Sequence, residues 1–340
     1  TTKTLANEDQ KIKVYKAGES AEFTLEQWDT LNIETDDIGS DLTGTIVVAN
    51  KPIGVWAGSE AANAPNTNHC DTSQCSSQEL KKGYKCGVCQ ADNKVSCFKN
   101  EHCKAYITCC ADHLEMQLFP VKTWGSHYVA VKLWPRGKES DYWRIMAAED
   151  GTKVITKPGV KDPKGKPIYF PVLDKGDWFE IETTDNFEII AQDIDGKPAP
   201  VMVGHFMASQ NAPDPNTLGP QTGDAGTGDP AFLLAIPVEQ WRKNYVFLTP
   251  TKYALNYASI AAPIDAEVTL DGKLLPADFW KKVSKNFKWT RIFVGEGVHT
   301  VTATNAVAVE VYGWDQYVSY GYPAGLDLKD LELIKEPGDP

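Results

Sequence analysis

The residues best suited to chemistry are eight cysteines, and they are unevenly placed. Cys70, Cys75, Cys86, Cys89, Cys97, Cys103, Cys109 and Cys110 share one stretch, and residues 111–340 contain none. The spacing is C-x4-C-x10-C-x2-C-x7-C-x5-C-x5-C-C. Cys86-Gly-Val-Cys89 has the spacing of a redox pair or of half a zinc site, which His102 and Cys103 could complete. No βαβ pattern surrounds that pair, however, and zinc would leave several thiols unpaired beside it. An even count in a segment rich in Lys, Ser, Asn and Gln, without apolar periodicity, favours four disulfides. Each would contribute on the order of 2 to 4 kcal/mol to a stretch that cannot fold by burial alone. Of the roughly 105 connectivities open to eight cysteines, about 90 remain once the strained neighbour pair Cys109–Cys110 is removed. Disulfides imply an oxidising compartment, so the expected location is extracellular, periplasmic or cell-surface. Thr1–Gln10 lacks the apolar region of a signal peptide, and such a peptide is expected to have been removed.

Other reactive groups give weaker signals. Of the histidines at 69, 102, 113, 127, 205 and 299, His113 stands between acidic residues, Asp112 and Glu115, and a structural hydrogen bond is the expected role of each. Asp36, Asp37 and Asp41, and again Asp214, Asp224 and Asp229, could offer oxygens to calcium, but neither group has EF-hand spacing. They read as solvated turns. No G-x-S-x-G elbow, H-E-x-x-H or P-loop occurs, and the glycines of Gly223–Gly228 lack a strand-to-helix frame. The Gly-Asp-Pro sequence at 228–230 is followed by Ala231, where a self-cleaving step would carry histidine. No catalytic residue, metal or cofactor is therefore assigned, and the chain is read as a non-enzyme.

Binding is the remaining class. The cysteine segment carries Lys81, Lys82, Lys85, Lys94, Lys99 and Lys104 against Asp71, Glu79, Asp92 and Glu101, a local excess of positive charge in a chain of net charge −12. Lys81, Lys82, Tyr84 and Lys85 are its candidate ligand contacts, with solvated loop lysines as the plain alternative. Among ten tryptophans, Trp124, Trp178 and Trp241 recur at equivalent positions and read as core. Trp134 and Trp143, beside Arg136, Lys138 and Glu139, are candidates for a surface platform, against a core role. The acidic balance, 46 Asp and Glu against 34 Lys and Arg, has the wrong sign for binding phosphate backbones. The longest apolar run, Ala231 to Val238, contains Pro237 and is too short to span a bilayer.

These residues must be positioned by strands. With 42% hydrophobic and 24% charged residues the chain is of ordinary globular composition. Tyr128–Leu133, Thr152–Thr156, Trp178–Glu182, His299–Thr304 and Val307–Val311 alternate with period two between Gly, Pro and Asp breaks. One helix is expected, Ala277 to Phe287, with Trp280, Val283 and Phe287 on one face. Pro120-Val121-x-x-Trp124-x-x-x-Tyr128-Val129 recurs as Pro237-Val238-x-x-Trp241-x-x-x-Tyr245-Val246. A partial third occurrence links Glu22–Trp28, Thr45–Val48 and Pro52–Trp56 with Gly176–Trp178, Ile189–Ala191 and Pro200–Val203. The expected fold is all-β: tandem antiparallel β-sandwich-like units with a disulfide-stapled insertion, the alternative being a closed radial, propeller-like arrangement. The expected boundaries are 1–64 for a partial β-unit, 65–110 for the insertion, 111–210 for the second unit, 211–230 for a Pro/Gly/Asp-rich connection, 231–327 for the third unit and 328–340 for a tail.

Cys110-Ala-Asp-His113-Leu-Glu-Met-Gln117-Leu-Phe-Pro-Val-Lys-Thr-Trp-Gly125 resembles the C-x-x-H-x-x-x-Q-L-x-P-V-x-x-W-G signature of the IgGFc-binding N-terminal domain family. Asp41-Leu-Thr-Gly44-Thr, Lys51–Gly58, Asp229–Pro237 and Val318–Gly325 resemble further steps of that family in order. The resemblance implies an extracellular, non-enzymatic β module, found in mucus-associated animal proteins and in bacterial surface proteins. Cys70 to Cys109 departs from the family pattern as an insertion. The leading expectation is thus an adhesion module whose insertion presents a loop to a protein, glycoprotein or glycan. The alternatives are a carbohydrate-binding module or glycan-active enzyme with a cleft between units, and a structural spacer of a larger surface protein.

If all eight cysteines are paired, the unreduced, denatured chain carries no free thiol and weighs about 8 Da less than the reduced one, two hydrogens per bridge. Intact mass spectrometry with thiol labelling checks this. Four or more free thiols, or one zinc released by chelator, contradict it.

Overall fold

Alternation of inward and outward side chains organises the fold, as in Lys153–Lys157, where only Val154 and Thr156 are buried. The computed structural model describes residues 3–35, 40–64, 111–210, 212 and 226–334, and the backbone of 85–89 and 94–98. Its strands are β1 (Trp56–Ala62), β2 (Lys85–Cys89), β3 (Lys94–Phe98), β4 (Asp112–Gln117), β5 (His127–Ala130), β6 (Asp141–Ala147) and β7 (Lys153–Lys157). They continue with β8 (Trp178–Thr183), β9 (Phe187–Gln192), β10 (Val201–Met207), β11 (Ala231–Leu234), β12 (Arg242–Thr249) and β13 (Leu255–Pro263). The last are β14 (Val268–Leu270), β15 (Lys273–Leu274), β16 (Lys281–Lys282), β17 (Phe287–Val294), β18 (Gly297–Asp315) and β19 (Val318–Pro323). The fold is all-β, and its pairings are antiparallel throughout the described strands.

Two sheets, β11-β10-β6-β8 and β5-β9-β7, pack face to face as a first sandwich. Trp143, Ile145, Ile181, Val201 and Val203 from one sheet meet Tyr128, Phe187 and Ile189 from the other in a single buried cluster. Complete burial of such side chains contributes about 1.5 to 3 kcal/mol each. β11 follows the 211–230 connection, yet it pairs with β10 and completes this first sandwich.

The second sandwich is built around β18. Its first half pairs with β12 and β14, and its second half with β13 and β19, so one strand serves both layers. The sheet path β15-β14-β18-β13-β17-β16 ends in two strands joined by only residues 275–280. The sheet therefore curls back on itself as a partial barrel, around Ile260, Val268, Val301, Val309 and Val311. This layered packing, and not a radial one, is what the described strands adopt.

Both copies of the Pro-Val-x-x-Trp-x-x-x-Tyr pattern build the same turn. Pro120 and Pro237 each lead into a short 3-10 turn closed by Trp124 or Trp241. The indole N–H of Trp124 donates to Phe119 O at 3.0 Å and that of Trp241 to Ile236 O at 3.1 Å. The Tyr128 and Tyr245 hydroxyls donate to Val201 O and Val307 O, both at 2.5 Å.

Residues 277–287 do not form a helix. A 3-10 turn at Ala277–Phe279 leads into β16, which pairs with β17 through Lys281↔Trp289 and Lys282↔Lys288. Val283 and Phe287 share a face because they close a hairpin, with Val283 N–H donating to Phe287 O at 3.1 Å. Their four-residue spacing mimicked a helical turn. In residues 3–35, pairing among the described residues is confined to isolated bridges, and Thr45–Val48 carries no strand ladder. Ile46, Val47 and Val48 are exposed, as is Trp28 at 90%. Three consecutive apolar residues lack the alternation that would bury one face of a strand.

Candidate functional site

The two sandwiches meet over two apolar clusters, one joining Val131, Ile236 and Trp241 to Ala261, Phe287 and Trp289, the other joining Leu133 and Met207 to Tyr257, Tyr312 and Trp314. Buried within that contact is an ionic cluster. Lys132 Nζ lies 3.1 Å from Glu139 Oε1 and 3.0 Å from Asp141 Oδ1, all three groups being nearly inaccessible. Asp141 Oδ2 accepts from the Leu133 N–H at 2.7 Å and meets His205 Nε2 at 2.7 Å. The other imidazole nitrogen, Nδ1, lies 3.5 Å from Glu310 Oε2, across the contact on β18. The ring stacks on the Trp143 indole at 3.6 Å. Arg136 donates to Thr227 O and, at 2.7 Å, to Ala208 O, while Arg291 of β17 reaches Leu133 O at 2.7 Å.

Strand geometry places these groups. Lys132 lies in the loop just after β5 and Asp141 opens β6, and His205 sits on β10, whose register sets it opposite Trp143. Lys132, Arg136, Arg291 and a protonated His205 stand against Glu139, Asp141, Asp229 and Glu310, so the cluster balances only while the imidazole holds its extra proton. Burial alone would lower the His205 pKa. The hydrogen bond of Asp141 and the charges of Asp141 and Glu310 outweigh it and hold the value at about 9. Burial likewise opposes ionisation of Asp141, but Lys132 and His205 hold its pKa well below the usual carboxylate range.

The sequence-derived site residues are only partly within this description. Lys81, Lys82, Tyr84, Cys70, Cys75, Cys103, Cys109 and Cys110 lie outside the described residues. Lys85, Cys86, Cys89 and Cys97 are described as backbone in the β2–β3 hairpin, where the register sets Cys86 opposite Cys97. Trp143 is fully buried, and so are Arg136 and Glu139; this corner is core and not a ligand platform. Trp134 is half-buried and stacks on Tyr257 at 4.9 Å. His113 pairs with Glu115 at 3.3 Å on the surface, and His127 and His299 find Glu188 and Asp271 at 2.7 Å from distant sequence. Asp41 meets Arg144 at 2.7 Å. Among the described residues no cluster of three or more metal-ligating side chains occurs.

The base of the cysteine-rich excursion is well defined. β1 and β4 pair from Trp56↔Gln117 to Ala62↔Asp112, so the chain leaves and returns at neighbouring positions. Ala64 and Ser209 exchange two hydrogen bonds of 2.7 Å, tying the departing chain to the first sandwich. Gly58 is required in this ribbon, because any Cβ there would collide with Leu114 O. Gly44 has φ +95° and passes against the Gly176 carbonyl, while Arg144 binds both Asp41 and Thr43. The Asp41–Gly44 step is thus a docking contact of the chain before the excursion, and the Lys51–Gly58 step leads into its ribbon through Gly58.

The model of the IgGFc-binding protein family matches residues 1–78 and 86–313. The chain belongs to the IgGFc-binding family. Membership places it among extracellular binding modules, and no described helix is long and apolar enough to cross a membrane. No curated protein matches the chain. Among solved structures, a Pleurotus ostreatus lectin in its apo form is similar at 13% identity, with 60% of this chain and 75% of that one covered and a TM-score of 0.15. An anti-sigma factor domain-containing protein is similar at 13% identity, covering 58% and 81%, with a TM-score of 0.16.

Because the folded pKa of His205 exceeds its ordinary 6.5, its contribution to stability is complete below pH 6.5 and is lost as pH rises through about 9. The expected loss is roughly 3 kcal/mol. Urea unfolding from pH 6 to 10 should show this decline, and His205→Gln should flatten it while lowering stability at pH 7. An unchanged slope in the variant contradicts the assignment.

Proposed function

We propose that this member of the family is a non-catalytic binding module in which the paired sandwiches hold residues 65–110 as a ligand-presenting loop. One observation carries the reading: Ala62 and Asp112 are antiparallel partners, so an excursion of that length is closed at its base and fixed to a rigid body. The sequence of this excursion is polar and lacks apolar periodicity, and loops on rigid scaffolds commonly carry recognition. Four disulfides within the excursion would lower the entropy lost when it engages a partner. The excess of lysine over acid in residues 70–110 favours an acidic face on that partner. The family description names immunoglobulin Fc, which makes Fc the first ligand to try.

Surface plasmon resonance of the intact chain on immobilised Fc should give saturable binding that weakens with salt. The triple variant Lys81→Ala, Lys82→Ala, Lys85→Ala should lose about tenfold, equivalent to roughly 1.4 kcal/mol. Binding by the triple variant equal to the parent would move the site off the excursion, and absence of Fc binding by the intact chain would exclude Fc as its ligand.

A further inference from the structure

A second site is cut into the opposite chemistry of the molecule. Where β12 begins, a cleft of about 270 Å³ opens over Trp241 and Ala306, with Arg242, Lys243, Asn244, Asp327 and Lys329 at its walls. Three cations face one carboxylate there, in a chain whose net charge is −12. Asp327 takes up only part of their capacity. Its Oδ1 lies 3.5 Å from Arg242 Nε and its Oδ2 lies 2.5 Å from Lys329 Nζ. The two terminal guanidinium nitrogens of Arg242 and the Lys243 ammonium make no hydrogen bond or ion pair among the described residues.

The walls are fixed in advance. Gln240 is fully buried, and its amide donates to Lys329 O at 2.7 Å and Thr123 O at 3.0 Å while accepting from Lys329 N–H at 2.9 Å. Its carbonyl accepts from the Asp327 N–H at 3.1 Å. The strand side and the tail side of the cleft are therefore pinned to one buried residue, so a ligand would find the donors already in place.

We infer that this cleft binds a singly charged sugar acid, its carboxylate held by Arg242 and Lys243 and its hydroxyls by Asp327 and Asn244. A guanidinium fork matches a carboxylate in a bidentate fashion. Asp327 accepts hydrogen bonds from hydroxyls but repels a bare dianion, which separates a sugar acid from sulfate or phosphate. The volume has room for a ring and not merely for an ion, and half-buried Ala306, backed by the buried Trp241, gives an apolar spot for the C–H edge of that ring.

The test is a titration of the full chain with glucuronate, followed by calorimetry or amide chemical shifts, with glucose and sodium sulfate as controls. Saturable glucuronate binding is expected, weakening several-fold between about 20 and 150 mM salt. Lys243→Ala and Arg242→Gln, both at exposed side chains, should each weaken it about tenfold with unchanged thermal unfolding. Asp327→Asn should narrow the preference for glucuronate over sulfate. No saturable binding, glucose or sulfate bound as well as glucuronate, or unaltered affinity in Lys243→Ala overturns the inference.

Discussion

One imidazole, His205, lies between Asp141 of the first sandwich, hydrogen-bonded at 2.7 Å, and Glu310 of the second, 3.5 Å away, inside the contact between them. Desolvating several charges is costly, and an apolar contact of the same shape would commonly be at least as stable. What the ionic arrangement adds is geometry. Each carboxylate must meet a particular donor, so a small slide of one sandwich over the other would leave buried charges unpaired at several kcal/mol each. The apolar residues around it supply the driving force, and the cluster selects one docking pose. Its charge balance depends on the imidazolium, which ties that pose to pH.

The rest of the molecule builds on that fixed pose. β11 completes the first sandwich, and its Leu233 packs against Gly321 of β19 in the second. The equivalent turns after Pro120 and Pro237 also touch: Glu239 accepts hydrogen bonds of 2.9 Å from the Ser126 N–H and hydroxyl. Gln240 joins the first of these turns to the tail. A shift between sandwiches would thus disturb the Gln240 cleft directly. The excursion behaves differently, since its base is anchored to the first sandwich through Ala64 and Ser209.

Much of the architecture was legible in the sequence. Period-two alternation marked the strands, and the Pro-Val-x-x-Trp-x-x-x-Tyr pattern marked two turns with matching hydrogen bonds. The hairpin around Val283 was misread because the facing positions of a tight hairpin can share a helical spacing. The ion cluster was missed because its members lie as far apart as Lys132 and Glu310, and only tertiary packing joins them. A signal was present: Lys132 between Val131 and Leu133, and His205 inside Val201–Met207, are charged or titratable residues within otherwise apolar runs. Trp143 drew attention for charged neighbours of which Arg136 and Glu139 belong to the buried cluster, while Lys138 is exposed. The cleft beside Trp241 was hidden for the same reason, since the tail that forms one wall is remote from β12 in sequence.

The central claim is that the two sandwiches are one cooperative body. Differential scanning calorimetry of the intact, oxidised chain at pH 7 tests it most directly. A shared, charge-balanced core predicts a single transition in which the calorimetric and van't Hoff enthalpies agree. Two resolved transitions, each with the enthalpy of one sandwich, would contradict it.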